Sequence, residues 1–321
     1  MKTIEHDFQS EDQWLALRSQ NIGSSEIEGL LGIEKYNTRF QLYHQKRGTL
    51  PAEDLSNDDR VFWGNHLEPA IAFGLAKLHE LTIRKVRRYY TVEECPGLGA
   101  SLDYVVVEED GSEVPFEIKN VDGMIYRNDW FTDRDPIHPP LHIAVQLQHQ
   151  MIATNAPHGY LGALIGGNDP ILLKIPRHEK ICAAILKAVP LFWEDVRAER
   201  EPEPVPSKDL EALQKAWAGK AVKDTALDVD TLPADQDDFA KIFRSAMANY
   251  AYGADLEKQG KMLKDEAKMA VLRAAPTYEK VFMKEGSINI AHVPEKMSAP
   301  RPAKLQAARR NSLFYPKKGA E

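Results

Sequence analysis

The sequence predicts a mixed α/β protein: a mixed central sheet flanked by helices, followed by a mainly helical C-terminal extension. Three observations carry that expectation. Thr82–Val92, Ala100–Glu108 and Val114–Asn120 are rich in β-branched and aromatic residues, and Glu109-Asp110-Gly111 reads as a hairpin turn between the last two. Just before them, Leu67, Ile71, Leu75 and Leu78 recur at the spacing of one helix face. Much later, Glu201-Pro202-Glu203-Pro204-Val205-Pro206 breaks the pattern, because alternating prolines lack the N–H a helix needs and favour an extended chain.

From the N-terminus, Glu11–Arg18 reads as a helix, and Gly23-Ser24-Ser25 opens a second through Leu31, with Ser25 and Glu28 in capping-box spacing. A third helix covers Phe40–Lys46; after the polar stretch Pro51–Asp59, the periodic leucines mark a fourth up to Leu81. Beyond the three strands come a helix over Leu141–Thr154, strands in Tyr160–Ile165 and Ile171–Ile175, and a helix over Arg177–Arg200. The expected organisation is a domain at 1–200, a proline-rich linker at 201–206 and an extension at 207–321. Within the extension, Asp235–Ala275 is charged and rich in Ala and Lys, which predicts one long helix or a helical hairpin turning near Gly253 or Gly260. Tyr278–Val293 is expected to pair as a short β-ribbon about Glu285-Gly286, ahead of a basic tail from Lys296.

Composition narrows the function. A chain of 321 residues, 43% hydrophobic and 28% charged, can bury a large core, which excludes wholesale disorder. No apolar run approaches the roughly 20 residues of a membrane span, and Met1–Ser10 has no apolar signal core, so the expected location is the cytoplasm. Cys95 and Cys182 lie far apart without a CxxC pair and read as structural thiols. The net charge of -7 divides unevenly: residues 1–206 carry 21 basic against 32 acidic residues, and 207–321 carry 20 against 16. A carboxylate-rich front part suits a divalent cation and leaves phosphate contact to local basic patches. One patch is Arg84, Lys85, Arg87 and Arg88, with a merely solvated surface as its alternative. The other is Lys296–Lys318, with seven basic residues and no acidic one; its Leu305, Leu313, Phe314 and Tyr315 also allow docking on the domain or on a partner protein.

Chemistry concentrates in Asp103 and in Phe116-Glu117-Ile118-Lys119 across the hairpin. Strand residues two apart share a face, so Glu117 and Lys119 point one way while Phe116 and Ile118 point the other, and Asp103 can meet the first pair from the adjacent strand. Converging carboxylates repel unless a cation lies between them, and hard oxygen donors select Mg²⁺ or Mn²⁺. A lysine alongside can orient or help deprotonate an attacking water and offset charge in a phosphorane-like transition state. A surface hairpin with a cross-strand Glu–Lys pair is the simpler alternative. Glu68 falls between Ile71 and Leu75 on an apolar stripe, which suits a third ligand or a carboxylate reaching the edge of the stripe. Gln148 shares a face with Ala144, Leu147, Met151 and Ile152, which suits a glutamine lining the site or a core glutamine bonded to backbone; Gln146, His149 and Gln150 then fall on a wetter face. Arg18 with Ser24 and Ser25 at a helix start forms an anion-binding arrangement, although capping alone explains the serines. His138, His142 and His158 show no ligand spacing.

Five ordered blocks occupy the stretch from Trp14 to Ile165. They are Trp14 through Arg18 with Gly23-Ser24-Ser25-Glu26-Ile27, then Trp63-Gly64 with Glu68, Ser101-Leu102-Asp103, Glu117-Ile118-Lys119 and Gln146-Leu147-Gln148. Together they resemble the lambda exonuclease or YqaJ-type viral recombinases, within the PD-(D/E)xK nuclease class and its restriction-endonuclease-like core. The class name expects a proline near the first Asp, where this chain has Ser101-Leu102. The resemblance implies that Asp103, Glu117, Glu68 and the Ile118 carbonyl hold two Mg²⁺ ions, with Mn²⁺ able to substitute. It further implies that Lys119 assists the nucleophilic water, that Gln148 lines the site, and that Arg18 and Ser25 engage a DNA phosphate. The implied activity is a 5′-to-3′ exonuclease on double-stranded DNA ends in phage-type recombination, as a ring-shaped homotrimer partnered by a single-strand annealing protein. An endonuclease with the same site, or a catalytically silent DNA-end-binding scaffold, remains the rival expectation.

Overall fold

Two of the expected strands break in mid-course, and the breaks set the architecture of the computed structural model, which describes residues 1–51, 57–130, 137–220, 222–278, 280–283 and 286–289. The chain opens with β1 (Thr3–Asp7), an element that the sequence pattern does not reveal, and α1 (Glu11–Ser19), whose N-cap Ser10 accepts from the Gln13 N–H. A single turn, α2 (Ile27–Leu30), precedes α3 (Arg39–Lys46), capped by Thr38, and α4 (Asp59–Leu78), capped by Asp58. The segment expected as one strand at 82–92 forms β2 (Thr82–Lys85) and β3 (Arg88–Val92) in different sheets. The segment at 100–108 does the same as β4 (Gly99–Ser101) and β5 (Tyr104–Val107). Buried Val86 and Leu102 sit at the two crossings. Next come β6 (Glu113–Val121), a short α5 (Gly123–Ile125) running into a π-turn at Tyr126–Trp130, α6 (Leu141–Thr154), β7 (His158–Ile165), β8 (Asp169–Pro176), α7 (Glu179–Arg197) and α8 (Pro206–Ala216).

The larger sheet has five strands in the order β2-β5-β6-β7-β8, and the smaller has three in the order β1-β3-β4. Within the larger sheet, among the described residues, only β6 and β7 run parallel, with Glu117 opposite Leu161, so that sheet is mixed, as the sequence predicts. A parallel pair needs a crossover, and the segment holding α5 and α6 provides it. Ile71 and Leu75 of α4 pack with Phe116, Ile118 and Leu161 in one core cluster. Ile152 of α6 and Phe192 of α7 join Ile22, Leu98 and Val105 in another. Because α6 contributes to both clusters, it is buried on nearly every side, which its hydrophobic period does not reveal.

The proline-rich stretch is not the domain boundary. Residues 201–205 form no helix or strand, and α8 belongs to the first compact unit, Met1–Lys220. Asp209 explains why. Fully buried, it accepts from Thr38 Oγ1 at 2.7 Å, Gln41 Nε2 at 2.8 Å and the Val205 N–H at 2.7 Å, while Ala212 packs with Phe40 and Leu50. The division into 1–200 and 207–321 is therefore corrected to units of Met1–Lys220 and Ala221–Glu321. In the second unit, α9 (Asp237–Ala274) is one helix of 38 residues, not a hairpin. Gly253 and Gly260 lie inside it with open space where a Cβ would stand, each a tolerated interior glycine. β9 (Lys280–Met283) and β10 (Gly286–Asn289) pair antiparallel with Met283 opposite Gly286, and the basic tail Lys296–Lys318 lies outside the described residues. Among the described residues, no helix is long and apolar enough to cross a membrane.

One buried group gives the fold a pH signature. His149 of α6 is fully buried and faces the Gly99 carbonyl through Nε2 at 3.0 Å. Burial lowers its pKa from 6.5 to about 4. The unfolded chain therefore takes up a proton before the folded one does. Stability is full above pH 6.5 and is expected to drain away as pH falls through 4. Urea unfolding across that window should show the slope, and His149→Gln should flatten it; an unchanged slope would assign the acid sensitivity to other groups.

Candidate active site

Asp103 stands at the crossing from β4 to β5, and its Oδ2 accepts the Ile118 N–H at 2.9 Å, which locks it against β6. Alternation along β6 buries Phe116 and Ile118 in the core with α4 and turns Glu117 and Lys119 toward α6. Glu117, with a side chain only 3% exposed, is the hub. Its Oε1 accepts from Lys119 Nζ at 2.5 Å and from Gln146 Nε2 at 2.6 Å, and its Oε2 accepts from Gln150 Nε2 at 2.6 Å. Lys119 Nζ also reaches Gln146 Oε1 at 3.2 Å. Residues four apart on a helix share a stripe, which is why Gln146 and Gln150 descend together on one carboxylate.

The electrostatics arise from this crowding. Burial, then the negative charge of Glu117 and, more weakly, that of Glu68, push the Asp103 carboxyl up to about 8 against the pull of Lys119 and the Ile118 N–H. Burial works to lower the Lys119 pKa, but Glu117 and Asp103 outweigh it and the net shift is upward, so Lys119 is held as a cation.

Gln148 does not line this site, which corrects the expectation for it. Its Nε2 donates to the Pro176 carbonyl at 2.9 Å, and its Oε1 accepts the His178 N–H at 2.7 Å and the Cys182 S–H at 3.5 Å. It is the core glutamine bonded to backbone, tying α6 to the β8–α7 connection. Gln146 and Gln150, expected on a wetter face, are the glutamines on Glu117 instead. With α6 buried on both flanks, the hydrophobic period could not tell core from site; the glutamine pair at i and i+4 was the available signal. Gln148→Leu is expected to destabilise the protein by about 1–3 kcal/mol, since it leaves buried backbone groups unpaired. Urea unfolding measures this, and the Glu117 cluster should keep its properties per folded molecule.

Glu68 stands on α4 just before Pro69 and is ion-paired with Lys85 of β2. Its charge still reaches Asp103. Among the described residues, no group of three or more His, Cys, Asp or Glu side chains is gathered to hold a metal ion as it stands. Asp103 and Glu117 nevertheless suit a hard divalent cation: both are oxygen donors, and Asp103 keeps its charge poorly without added positive charge. Ile118, expected to lend its carbonyl, directly follows Glu117 and gives its N–H to Asp103.

The anion-binding arrangement is built differently from the expectation. α2 begins at Ile27 with no side-chain cap, so Ser25 and Glu28 form no capping box. Glu28 is buried and instead accepts the N–H groups of Lys35, Tyr36 and Asn37. The Gly23 N–H is taken by Glu26 Oε2 at 2.8 Å, Ser24 is buried, and Ser25 is exposed. Arg18 lies 4.7 Å over the Trp14 ring and 3.6 Å from Glu26, whose carboxylate also binds buried Lys46. Trp14 Nε1 donates to Ser101 Oγ at 2.8 Å, tying this corner to the strand that leads into Asp103. The basic patch of β2 and β3 is largely committed within the protein: Arg84 pairs with Glu113, Lys85 with Glu68, and Arg88 with Glu5 and Asp7. Arg87 is exposed and borders a groove with Phe8 and Trp14.

Asp103, just before β5, stands beside Glu117 and Lys119 of β6, an arrangement that resembles the D…ExK class. Residues 13–157 match the sequence model of the YqaJ-like viral recombinase domain. The uncharacterized protein YqaJ of Bacillus subtilis (strain 168) is 30% identical over 194 residues, which cover 58% of this chain and 56% of that relative. The match thus spans little more than half the length of that curated relative. Among solved structures, the alkaline exonuclease LHK-Exo from Laribacter hongkongensis is 17% identical, with a TM-score of 0.45 over 59% of this chain and 93% of that one. A second structure, LHK-Exo in complex with dAMP, is 18% identical, with a TM-score of 0.44 over 65% of this chain and 100% of that one.

Proposed function

We propose that this protein is a Mg²⁺-dependent deoxyribonuclease, a 5′-to-3′ exonuclease acting on duplex DNA ends in homologous recombination. The observation that carries the reading is Glu117: a nearly buried carboxylate near Asp103, turned toward α6 and clamped by two glutamines of that helix and by Lys119 of its own strand. The match of residues 13–157 to the YqaJ-like viral recombinase domain supports it. Asp103, Glu117 and the Ile118 carbonyl, joined by Glu68, would hold the ions, two in number by family resemblance, with Mn²⁺ as a substitute. When bound, the metal supplies Lewis acidity toward phosphate and water. Lys119, kept cationic by its neighbours, holds the attacking water as a donor and offsets charge on the transferring phosphate rather than serving as a neutral base. Gln146 and Gln150 fix the Glu117 carboxylate. Arg18, with Ser24 and Ser25 in the same corner, meets a DNA phosphate once one competes with Glu26 for the guanidinium. The reading extends to a homotrimer, a single-strand annealing partner, a cytoplasmic location and added DNA contact by the tail Lys296–Lys318, all taken from resemblance or composition.

The test is digestion of linear duplexes labelled separately at the 5′ and 3′ ends, in Mg²⁺ or EDTA, beside a covalently closed circle. Early release of 5′ label in Mg²⁺ alone, with the circle intact, is the expected result. Cleavage of the circle would make the enzyme an endonuclease with the same site. End binding without turnover in either ion condition would make it a scaffold.

A further inference from the structure

Lys85 is a cation beside the carboxylates that has no task in the proposed cleavage chemistry. It stands on β2, an edge strand of the five-stranded sheet, directly opposite Tyr104 and therefore next to Asp103. Its Nζ is paired with Glu68 and lies 4.7 Å from the centre of the Tyr104 ring. The lysine side chain is 49% exposed and the glutamate 20% exposed, so the pair is wet on one side and adds little to stability. Its weight is local: Glu68 is one of the charges acting on Asp103, and Lys85 is the cation paired with it.

We propose that Lys85 is a resident counter-cation of the carboxylate site, holding Glu68 until a divalent ion displaces it, and that a DNA phosphate capturing the released ammonium strengthens metal binding. The inference rests on the reading of Asp103, Glu117 and Glu68 as metal-binding residues. A carboxylate already paired with an ammonium must give up that pairing to bind a metal, so the pairing lowers metal affinity. The displaced ammonium is on an exposed edge, where phosphate is its natural partner. Any group that draws Lys85 from Glu68 then raises metal affinity, and by linkage the metal raises DNA affinity by the same factor. Metal and DNA would load together.

The experiment is calorimetric titration of the full chain with Mn²⁺, with and without a duplex whose ends are protected from digestion by phosphorothioates. Lys85→Met keeps an apolar stem on Tyr104 and removes the charge; Lys85→Arg keeps a cation opposite Glu68. Without DNA, Lys85→Met is expected to bind Mn²⁺ roughly five-fold or more tightly than wild type, and Lys85→Arg about as weakly as wild type. Duplex should tighten Mn²⁺ binding in wild type and far less in Lys85→Met. Equal or weaker Mn²⁺ binding by Lys85→Met, with circular dichroism matching wild type, overturns the proposal, as does an undiminished DNA effect. Wild type that binds no Mn²⁺, or binds it unaltered after Asp103→Asn, would instead sink the metal-site reading and the Lys85 inference with it.

Discussion

Lys119→Ala is expected to slow DNA cleavage about 10²–10⁴-fold at saturating Mg²⁺ and DNA, with little change in the DNA concentration needed for half-maximal rate. The lysine is positioned for charge that develops only during the reaction, so its loss falls on the chemical step and not on binding. Glu117 and Asp103 keep it cationic in spite of burial, which makes it a donor to the water and the phosphate. Lys119→Arg should rescue poorly, because a planar guanidinium cannot reproduce the hydrogen bonds of a compact ammonium to Glu117 and Gln146. The fold should persist, since Glu117 retains both glutamine partners. Single-turnover digestion of an end-labelled duplex measures the step, and a rate within about threefold of wild type would remove Lys119 from the chemistry.

That Asp103, Glu117 and Lys119 come together could be read from the sequence because the rule used is local. Strand alternation fixes which side chains share a face over a few residues, and the short turn about Gly111, with φ at +81°, fixes which strand lies alongside. The α6 assignment failed for the converse reason. A hydrophobic period separates buried from wet faces only when one face is wet, and α6 runs between two core clusters. Its apolar residues, its structural Gln148 and the Glu117 partners Gln146 and Gln150 therefore share one undifferentiated pattern. The domain boundary failed because extended prolines carry no information about the packing of the next helix: Asp209, a surface-type residue in sequence, is buried by partners more than 160 positions away. The breaks at Val86 and Leu102 were likewise invisible, since a strand that changes sheets keeps its β-rich composition throughout. The Ser25 capping-box reading failed because Glu28 found three backbone donors in the loop after α2, a better-satisfied arrangement for a buried carboxylate than one cap.

Glu117→Ala should do more than remove a ligand: a loss of about 3–5 kcal/mol in unfolding free energy is expected, the usual consequence of removing one member of a buried charged network. Three donors converge on this carboxylate, and none of Lys119, Gln146 and Gln150 has a second carboxylate partner in the hydrogen bonds that join the cluster. Truncation strands an ammonium and two amides around a hole, and the buried Gln150 amide is the one least able to turn to water. Cleavage should vanish in the same variant, so activity alone cannot separate the ligand role from the structural one. Stability can. Gln150→Leu by itself should cost about 1–3 kcal/mol by leaving one carboxylate oxygen without its donor. In the double variant both ends of that bond are gone, and the orphaned amide that made Glu117→Ala costly is replaced by an apolar group. The combined loss should fall short of the sum of the single losses by at least about 1 kcal/mol. Urea unfolding of the four proteins in metal-free buffer closes this cycle, and strictly additive losses would show that Glu117 and Gln150 do not support one another.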